Sequence, residues 1–152
     1  MGIDIAVFLI VFIAMEWVAW ALHKYVMHGF LWYLHEDHHV PNTQRWWQKN
    51  DFFAFFFAVP SFLCILFGTQ LGAPSWVAAF GFGIMAYGAA YFFVHEVIIH
   101  RRLKWPVSQN WYIQSLIQAH RAHHKVATKH GCICFGMLVV PLKFYKKSLA
   151  KN

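Results

Sequence analysis

The sequence predicts an all-α integral membrane protein with about three transmembrane helices and a histidine-rich helical site at one membrane face. Three apolar runs of about twenty residues are each long enough to cross a bilayer as a helix. The 152-residue chain is 59% hydrophobic and only 12% charged, whereas soluble domains carry about 25% charged residues. Ten of its eleven histidines fall into two copies of one pattern. The length fits a single membrane-embedded domain, residues 1–152.

The first apolar run, residues 3–22, is interrupted only by Asp4 and Glu16. A carboxylate inside a span is energetically costly and therefore indicates a function. Glu16 lies seven residues before His23, on the same face of a helix. We expect it either to orient that histidine or to pair with a lysine or arginine.

The second and third runs, residues 52–71 and 76–94, are joined by an uncharged turn. Pro60 lies inside the second run, where a membrane helix tolerates a kink. The phenylalanine-rich second run is expected to face lipid and to pack against other helices. The third run contains small residues that permit close helix contact, namely Gly81, Gly83 and Gly88.

The last third of the chain carries three further features. Residues 106–124 are predicted to form an amphipathic helix that begins at Pro106, a residue suited to a helix start. Residues 131–142 are mostly apolar but too few for a span, so we expect a re-entrant or interfacial segment. Residues 143–151 form a basic tail.

The topology places the motif histidines on one side of the membrane, because two spans between the two copies return the chain to the side it left. All thirteen lysines and arginines fall on that same side. The positive-inside rule makes it cytoplasmic. The net charge of +7 does not indicate nucleic acid binding, because the basic residues do not form a groove-reading helix.

The histidine pattern is HxxxxH followed by HxxHH. Its members are His23, His28, His35, His38 and His39 in the first copy and His95, His100, His120, His123 and His124 in the second. Because residues at i, i+3 and i+4 are neighbours on a helix, we expect the three imidazoles of each triplet to face one metal. Ten imidazoles exceed the roughly four ligands of one structural zinc, so two metal ions are predicted. Imidazole alone does not choose between iron, zinc, copper and nickel.

The position of His23 stays open, because an offset of five residues turns it about 140° away from His28 on an α-helix. Either the helix is broken near Gly29, or His23 reaches the metals from another side. Three acidic residues beside the motifs either orient ligands or are solvated: Glu36, Asp37 and Glu96. The remaining histidine, His130, and two cysteines, Cys132 and Cys134, are not expected to bind metal.

Three stretches carry a resemblance: HKYVMHGFLWYLHEDHH at 23–39, HEVIIHRRLKWP at 95–106 and QAHRAHHKVATKHGCICFGMLVVP at 118–141. Together they resemble the bacterial-type carotenoid 3-hydroxylases (β-carotene hydroxylases), a branch of the fatty acid hydroxylase superfamily, which implies a protein of the bacterial inner membrane. The histidine spacing alone is typical of the wider superfamily of membrane desaturases and hydroxylases. The residues between the histidines make the closer match.

The resemblance implies a non-haem di-iron centre that uses O2 and two external electrons to hydroxylate carbon 3 of carotenoid β-ionone rings. β-Carotene would pass through β-cryptoxanthin to zeaxanthin, and canthaxanthin could be converted to astaxanthin. All ten motif histidines would be ligands of the two Fe2+ ions. The sequence shows no flavin or nicotinamide fingerprint, so the resemblance implies an external, ferredoxin-type electron donor.

Two other functions are compatible with the pattern. One is a fatty acid or sterol hydroxylase or desaturase of the same superfamily, which the identity of the hydroxylated product would distinguish. The other is a non-enzymatic membrane metal-binding protein, such as a transporter or chaperone. Transport predicts ionisable ligands at mid-membrane depth, whereas these histidines gather at one face.

Overall fold

A computed structural model describes residues 2–40, 47–106 and 108–150, and every regular element within those ranges is helical. Two π-helical segments and one short 3-10 helix, called here the 3-10 turn, interrupt or extend the α-helices. The α-helices are α1 Gly2–Ala21, α2 Trp32–His39, α3 Phe55–Gln70, α4 Ser75–Phe92, α5 Trp111–His123 and α6 Leu142–Leu149; the first π segment is Leu22–Phe30, the second is Phe93–Ile99, and the 3-10 turn is Lys49–Ala54.

Within the described residues, three continuous helical stretches are long and apolar enough to cross a membrane: Gly2–Phe30, Lys49–Gln70 and Ser75–Ile99. The first joins α1 to the first π segment, the second joins the 3-10 turn to α3, and the third joins α4 to the second π segment. This confirms the predicted all-α, three-span architecture. Pro41 and Asn42 predict an end to the first motif segment, but they lie outside the described residues; α2 ends at His39.

Helix α4 lies between α1 and α3 and packs against both. A Cβ atom added to Gly81 would lie 2.7 Å from the Ser61 carbonyl oxygen of α3, and one added to Gly83 would lie 2.9 Å from the Phe8 carbonyl oxygen of α1. These two glycines therefore permit close helix contact, as expected. The same expectation for Gly88 is wrong, because a Cβ atom there meets nothing within 4 Å.

The starts of α1 and α4 lie side by side, because the Ser75 hydroxyl donates to the Asp4 carboxylate at 2.7 Å. These two helices therefore run parallel, and α3 runs antiparallel to them. Both π segments and the start of α3 lie together at the other end of the bundle. The fold thus brings both histidine motifs to one side, as the span count predicts.

Helix α5 begins at Trp111 rather than at Pro106, so the predicted start is wrong. The Asn110 side-chain oxygen accepts hydrogen bonds from the backbone N–H groups of Tyr112 at 2.9 Å and Ile113 at 3.4 Å. Such an N-cap satisfies N–H groups that the first helical turn leaves free. The cap, and not the proline, therefore sets the helix start.

Residues 125–141 connect α5 to α6 without forming a helix, and we call them the re-entrant segment. Glu16, within the first span, accepts hydrogen bonds from the backbone N–H groups of Met137, Leu138 and Val139 at 2.9–3.1 Å. Non-helical backbone is tolerated at membrane depth only where protein buries it. Residues 131–141 form no spanning helix, in agreement with the predicted re-entrant or interfacial segment, and most of the predicted basic tail lies in α6.

Candidate metal centre

The ten motif histidines converge into two groups of five. In each group, one ring nitrogen from every member lies within 4.8 Å of the others, and eight of the ten residues are buried while two are half-buried. The first group is His23, His28, His35, His39 and His123; the second group is His38, His95, His100, His120 and His124.

Each HxxxxH pair is placed by a π-helical segment, which explains its spacing; His23, His28 and His95 lie within the segments, and His100 directly follows the second one. In a π-helix the hydrogen bond joins residues five apart, as the His100 N–H does with the His95 carbonyl at 2.9 Å. Residues five apart then lie close on one face. The ring centroids are 5.3 Å apart for His23 and His28 and 4.6 Å apart for His95 and His100.

The first π segment also answers the open question about His23. Gly29 has non-helical backbone angles, φ −106° and ψ −124°. The helix is therefore broken there, as one of the two alternatives expected. His23 reaches the first group because the segment before the break is π-helical and not α-helical.

The HxxHH triplets are split between the groups, so the expectation that each triplet faces one metal is wrong. Positions i and i+4 of an α-helix lie about 40° apart, whereas i+3 lies about 60° to the other side of i. The outer members, His35 with His39 and His120 with His124, therefore stay together. The middle members cross over: His38 joins the second group and His123 joins the first.

Within the groups, ring nitrogens meet in close Nε2–Nε2 pairs of 3.0–3.2 Å. The pairs are His23–His35, His35–His39, His28–His123, His38–His95 and His100–His120. Two ligands at right angles on one metal, each about 2.1 Å from it, would lie about 3.0 Å apart. The spacing therefore fits imidazoles arranged around metal ions.

The re-entrant segment fixes the rings of the first group through its backbone carbonyls. A carbonyl only accepts, so each Nδ1 carries the proton and donates, and each Nε2 keeps a lone pair. Lone pairs of paired Nε2 atoms repel each other unless a cation lies between them. The Nδ1 atoms of His23, His28, His39 and His123 donate to the carbonyls of Phe135, Lys129, Val126 and Ile133 at 2.9–3.2 Å.

The 3-10 turn and its preceding residue fix one ring of each group. His35 Nδ1 donates to the Asn50 side-chain oxygen at 2.6 Å, and His38 Nδ1 donates to that of Gln48 at 2.9 Å. Asp37, expected either to orient a ligand or to be solvated, accepts from the backbone N–H of Lys49 at 2.7 Å and so holds this turn against α2. The sequence analysis did not predict these roles for Gln48 and Asn50. The single feature of the sequence that could indicate them is their position in the polar stretch just before the second apolar run.

The second group has a charged partner. Glu96 accepts from His95 Nδ1 and forms an ion pair with Arg102 at 2.7 Å. Arg102 also pairs with Asp51 at 2.9 Å, and Asp51 accepts from the backbone N–H of Gln48 at 3.0 Å. Of the alternatives for Glu96, the structure shows contact with a histidine. A carboxylate that accepts from Nδ1 of a histidine makes Nε2 of the same ring more basic, and therefore a stronger metal ligand.

Neither expectation for Glu16 agrees with the structure. Its carboxylate accepts from the re-entrant segment and from the Tyr87 hydroxyl at 2.7 Å. Glu16 acts on His23 only through that segment, whose Phe135 carbonyl accepts from the His23 ring. The re-entrant segment is not helical, so its backbone N–H groups have no carbonyl partners within a helix. The Glu16 carboxylate accepts from three of them. Glu36 is exposed, in agreement with the solvated alternative.

Burial keeps the grouped imidazoles that lie outside the membrane spans neutral. It lowers the pKa of His35 to about 2, of His39 to about 4, and of His100 and His123 to about 3. A charged imidazolium loses its hydration in the site, and neighbouring rings add repulsion. Neutral imidazole is the form that binds metals. The buried Nε2 of His124 has no hydrogen-bond partner among the described residues, which leaves it available to a metal.

An apolar cavity of about 720 Å³ lies between α1, α3 and α4 and reaches His95 of the second group. The expectation that the second run serves only lipid contact and packing is therefore incomplete. Its contribution to the cavity wall, together with the 3-10 turn, is mainly aromatic: Phe53, Phe55, Phe56, Phe57 and Phe62.

The sequence matches the fatty acid hydroxylase family over residues 8–142, which include all ten grouped histidines. The chain belongs to the fatty acid hydroxylase family. It is 41% identical to the β-carotene hydroxylase of Pantoea ananas, over 85% of this chain and 73% of that protein. It is 39% identical to the β-carotene hydroxylase of Pseudescherichia vulneris, over 83% of this chain and 70% of that protein.

A chloroplastic protein is also similar to this chain. The chloroplastic β-carotene 3-hydroxylase of Haematococcus lacustris is 37% identical, over 85% of this chain and 41% of that protein. No solved structure matches the chain significantly. These comparisons confirm the resemblance found in the sequence.

Proposed function

We propose that this protein hydroxylates carotenoid β-ionone rings at carbon 3, converting β-carotene through β-cryptoxanthin to zeaxanthin. The observation that carries the proposal is the apolar cavity that reaches His95, one of ten histidines gathered into two metal-binding groups. The β-carotene hydroxylase names of its relatives specify the substrate class. Canthaxanthin, with a similar ring, is a second candidate substrate.

Each five-histidine group is proposed to hold one iron ion. The Nε2–Nε2 spacings, the neutral rings and the outward Nδ1 hydrogen bonds support this assignment. When bound, two iron ions supply O2 activation: one oxygen atom enters the C–H bond, and two electrons and two protons reduce the other to water.

The residues of the chain prepare the site for this reaction. The re-entrant segment and the 3-10 turn with its preceding residue hold the five rings of the first group and His38 in one orientation and tautomer, which lowers the reorganisation needed when metal or substrate binds. Tyr91 packs against His95, with ring centroids 5.3 Å apart, at the inner end of the cavity. The apolar walls bind the ring and exclude water from the reacting carbon.

The substrate is proposed to enter from lipid. A carotenoid is insoluble in water, and several cavity-lining phenylalanines of α3 are also exposed on the membrane-spanning surface, including Phe55 and Phe62. The ring would then move along α4 towards His95.

Electrons are proposed to come from a ferredoxin-type donor on the cytoplasmic side. Exposed basic side chains near the histidine groups would attract an acidic partner: Lys49, Arg101, Lys104, Arg121 and Lys125.

The test is expression of the full chain in bacteria that accumulate β-carotene, followed by pigment chromatography. The expected result is loss of β-carotene and appearance of β-cryptoxanthin and zeaxanthin. Unchanged pigment would overturn the substrate assignment. Hydroxylated or desaturated fatty acids or sterols in the same cells would favour the other branch of the family.

A further inference from the structure

Gly88 is a glycine in the interior of α4 that helix packing does not require. A glycine in a helix interior destabilises the helix relative to alanine. Gly81 and Gly83 are explained by backbone atoms of α3 and α1 within 3 Å of their added Cβ atoms. At Gly88 an added Cβ meets nothing within 4 Å. Another reason is therefore needed for its lack of a side chain.

The surroundings of Gly88 supply that reason. It lines the apolar cavity, so its missing side chain leaves space in the cavity. The other described α4 residues on the cavity wall are all large: Ile84, Met85, Tyr87, Tyr91 and Phe92. Gly88 therefore makes a local widening in a wall of bulky side chains.

The widening lies close to the metal centre. Gly88 precedes His95 by seven residues, or about two helical turns and 10 Å along the axis. Residues at spacings of three, four and seven share a helix face, and Tyr91, Phe92 and His95 line the same cavity. A molecule that approaches His95 along α4 passes over Gly88.

We propose that Gly88 determines which substrates reach the second histidine group, by leaving room for a bulky carbon ring beside α4. This inference rests on the proposed function. It assigns to the residue a role in substrate size selection and none in metal binding or folding.

The experiment uses the purified full chain in detergent, loaded with iron and mixed with β-carotene without an electron donor. Bound carotenoid per protein is measured after gel filtration. The variants are Gly88→Ala, Gly88→Leu and Gly88→Phe, with Ala89→Leu and Ala89→Phe as controls because Ala89 is exposed and outside the cavity wall.

Gly88→Ala is expected to bind within about twofold of wild type, because its small side chain leaves most of the space free. Gly88→Leu and Gly88→Phe are expected to bind at least about tenfold more weakly, because their side chains fill the space that the carotenoid ring would occupy. The Ala89 variants should bind like wild type, and all variants should keep the wild-type iron content. If Gly88→Phe also loses iron, the carotenoid binding of Gly88→Leu alone tests the role of Gly88.

The possible results separate the two proposals. Gly88→Leu that binds as well as Ala89→Leu would overturn the role of Gly88. Wild-type protein that binds β-carotene but never hydroxylates it in cells would overturn the proposed function alone. Wild-type protein that binds no β-carotene would overturn both.

Discussion

At the residue scale, the two nitrogens of each ring in the first group have different roles. In His23, Nδ1 donates to the Phe135 carbonyl at 3.0 Å, while Nε2 faces His35 at 3.2 Å. The outer hydrogen bond fixes the tautomer and the ring plane, which leaves the inner nitrogen as a ready ligand. His28, His39 and His123 follow the same arrangement. The site is therefore oriented by acceptors that never touch a metal.

One prediction at this scale concerns the ligands of each group. His38→Ala and His123→Ala should each lower iron content from about two to about one per chain, because each removes a ligand from a different group. Both should abolish zeaxanthin formation while the protein still inserts into the membrane. Metal analysis of purified protein measures the first effect, and pigment chromatography measures the second. The matched control is His130→Ala, whose imidazole lies outside both groups; normal product from His38→Ala would reject its assignment.

A second residue-scale prediction concerns Glu16. Glu16→Ala should lower the free energy of unfolding by about 3 kcal/mol, because three backbone N–H groups and one hydroxyl lose a charged acceptor. A thermal melt in detergent should show this as a midpoint roughly 6–12 °C lower. Tyr87→Phe removes one of these hydrogen bonds and should cost about 1 kcal/mol. An unchanged melting midpoint in Glu16→Ala would show that the re-entrant segment is held by other contacts.

At the scale of elements, the short segments that are not α-helical orient the histidine rings, and the long helices hold these segments in place. The π segments align histidines five apart, and the 3-10 turn places Gln48 and Asn50 against one histidine of each group. The re-entrant segment contributes four carbonyls. Regular α-helix offers few free backbone acceptors, so the orienting contacts come from the parts that are not α-helical.

The prediction at this scale tests the 3-10 turn. Asn50→Leu should weaken iron binding in the first group and Gln48→Leu in the second, each by about 10–100-fold, because an unoriented ring binds metal less well. Iron release to a chelator gives the measurement. Lys49→Ala is the control, since Lys49 contributes its backbone N–H and not its side chain. Equal release rates in all three variants would contradict this role for the turn.

At the scale of the whole molecule, the two groups have the same construction. Each takes one HxxxxH pair, the outer members of the following HxxHH triplet and the middle histidine of the other triplet. Neither half of the chain therefore completes a group alone. The exchange ties α2 to α5, and the parallel spans α1 and α4 bring the two halves to the same end of the bundle.

The whole-molecule prediction is the orientation in the membrane. Green fluorescent protein fused at the C-terminus should fluoresce, because that end is expected in the cytoplasm. Alkaline phosphatase fused after Gly72, in the turn between α3 and α4, should be active, because that turn is expected outside. Whole-cell fluorescence and phosphatase assays make the measurement. The reverse pattern would place the histidine groups on the outer face.

The sequence by itself determined the three spans, the gathering of ten histidines on one side and the family. These features are local: apolar runs fix the spans, the number of spans fixes the side, and the residues around the histidines fix the resemblance. The sequence also indicated that Glu16 has a function, because a carboxylate within a span is costly. It could not show that the partners of Glu16 are backbone groups more than one hundred residues away.

Only the tertiary structure decided how the histidines divide, which helix types carry them, which groups orient them and where the cavity reaches them. Helical spacing separates His38 and His123 from the outer members of their triplets, but the group that each one joins depends on how α2 faces α5. His28 finds its acceptor 101 residues further along the chain, at Lys129. Contacts of that range depend on how the spans pack, and periodicity along the sequence describes only neighbours within a few turns.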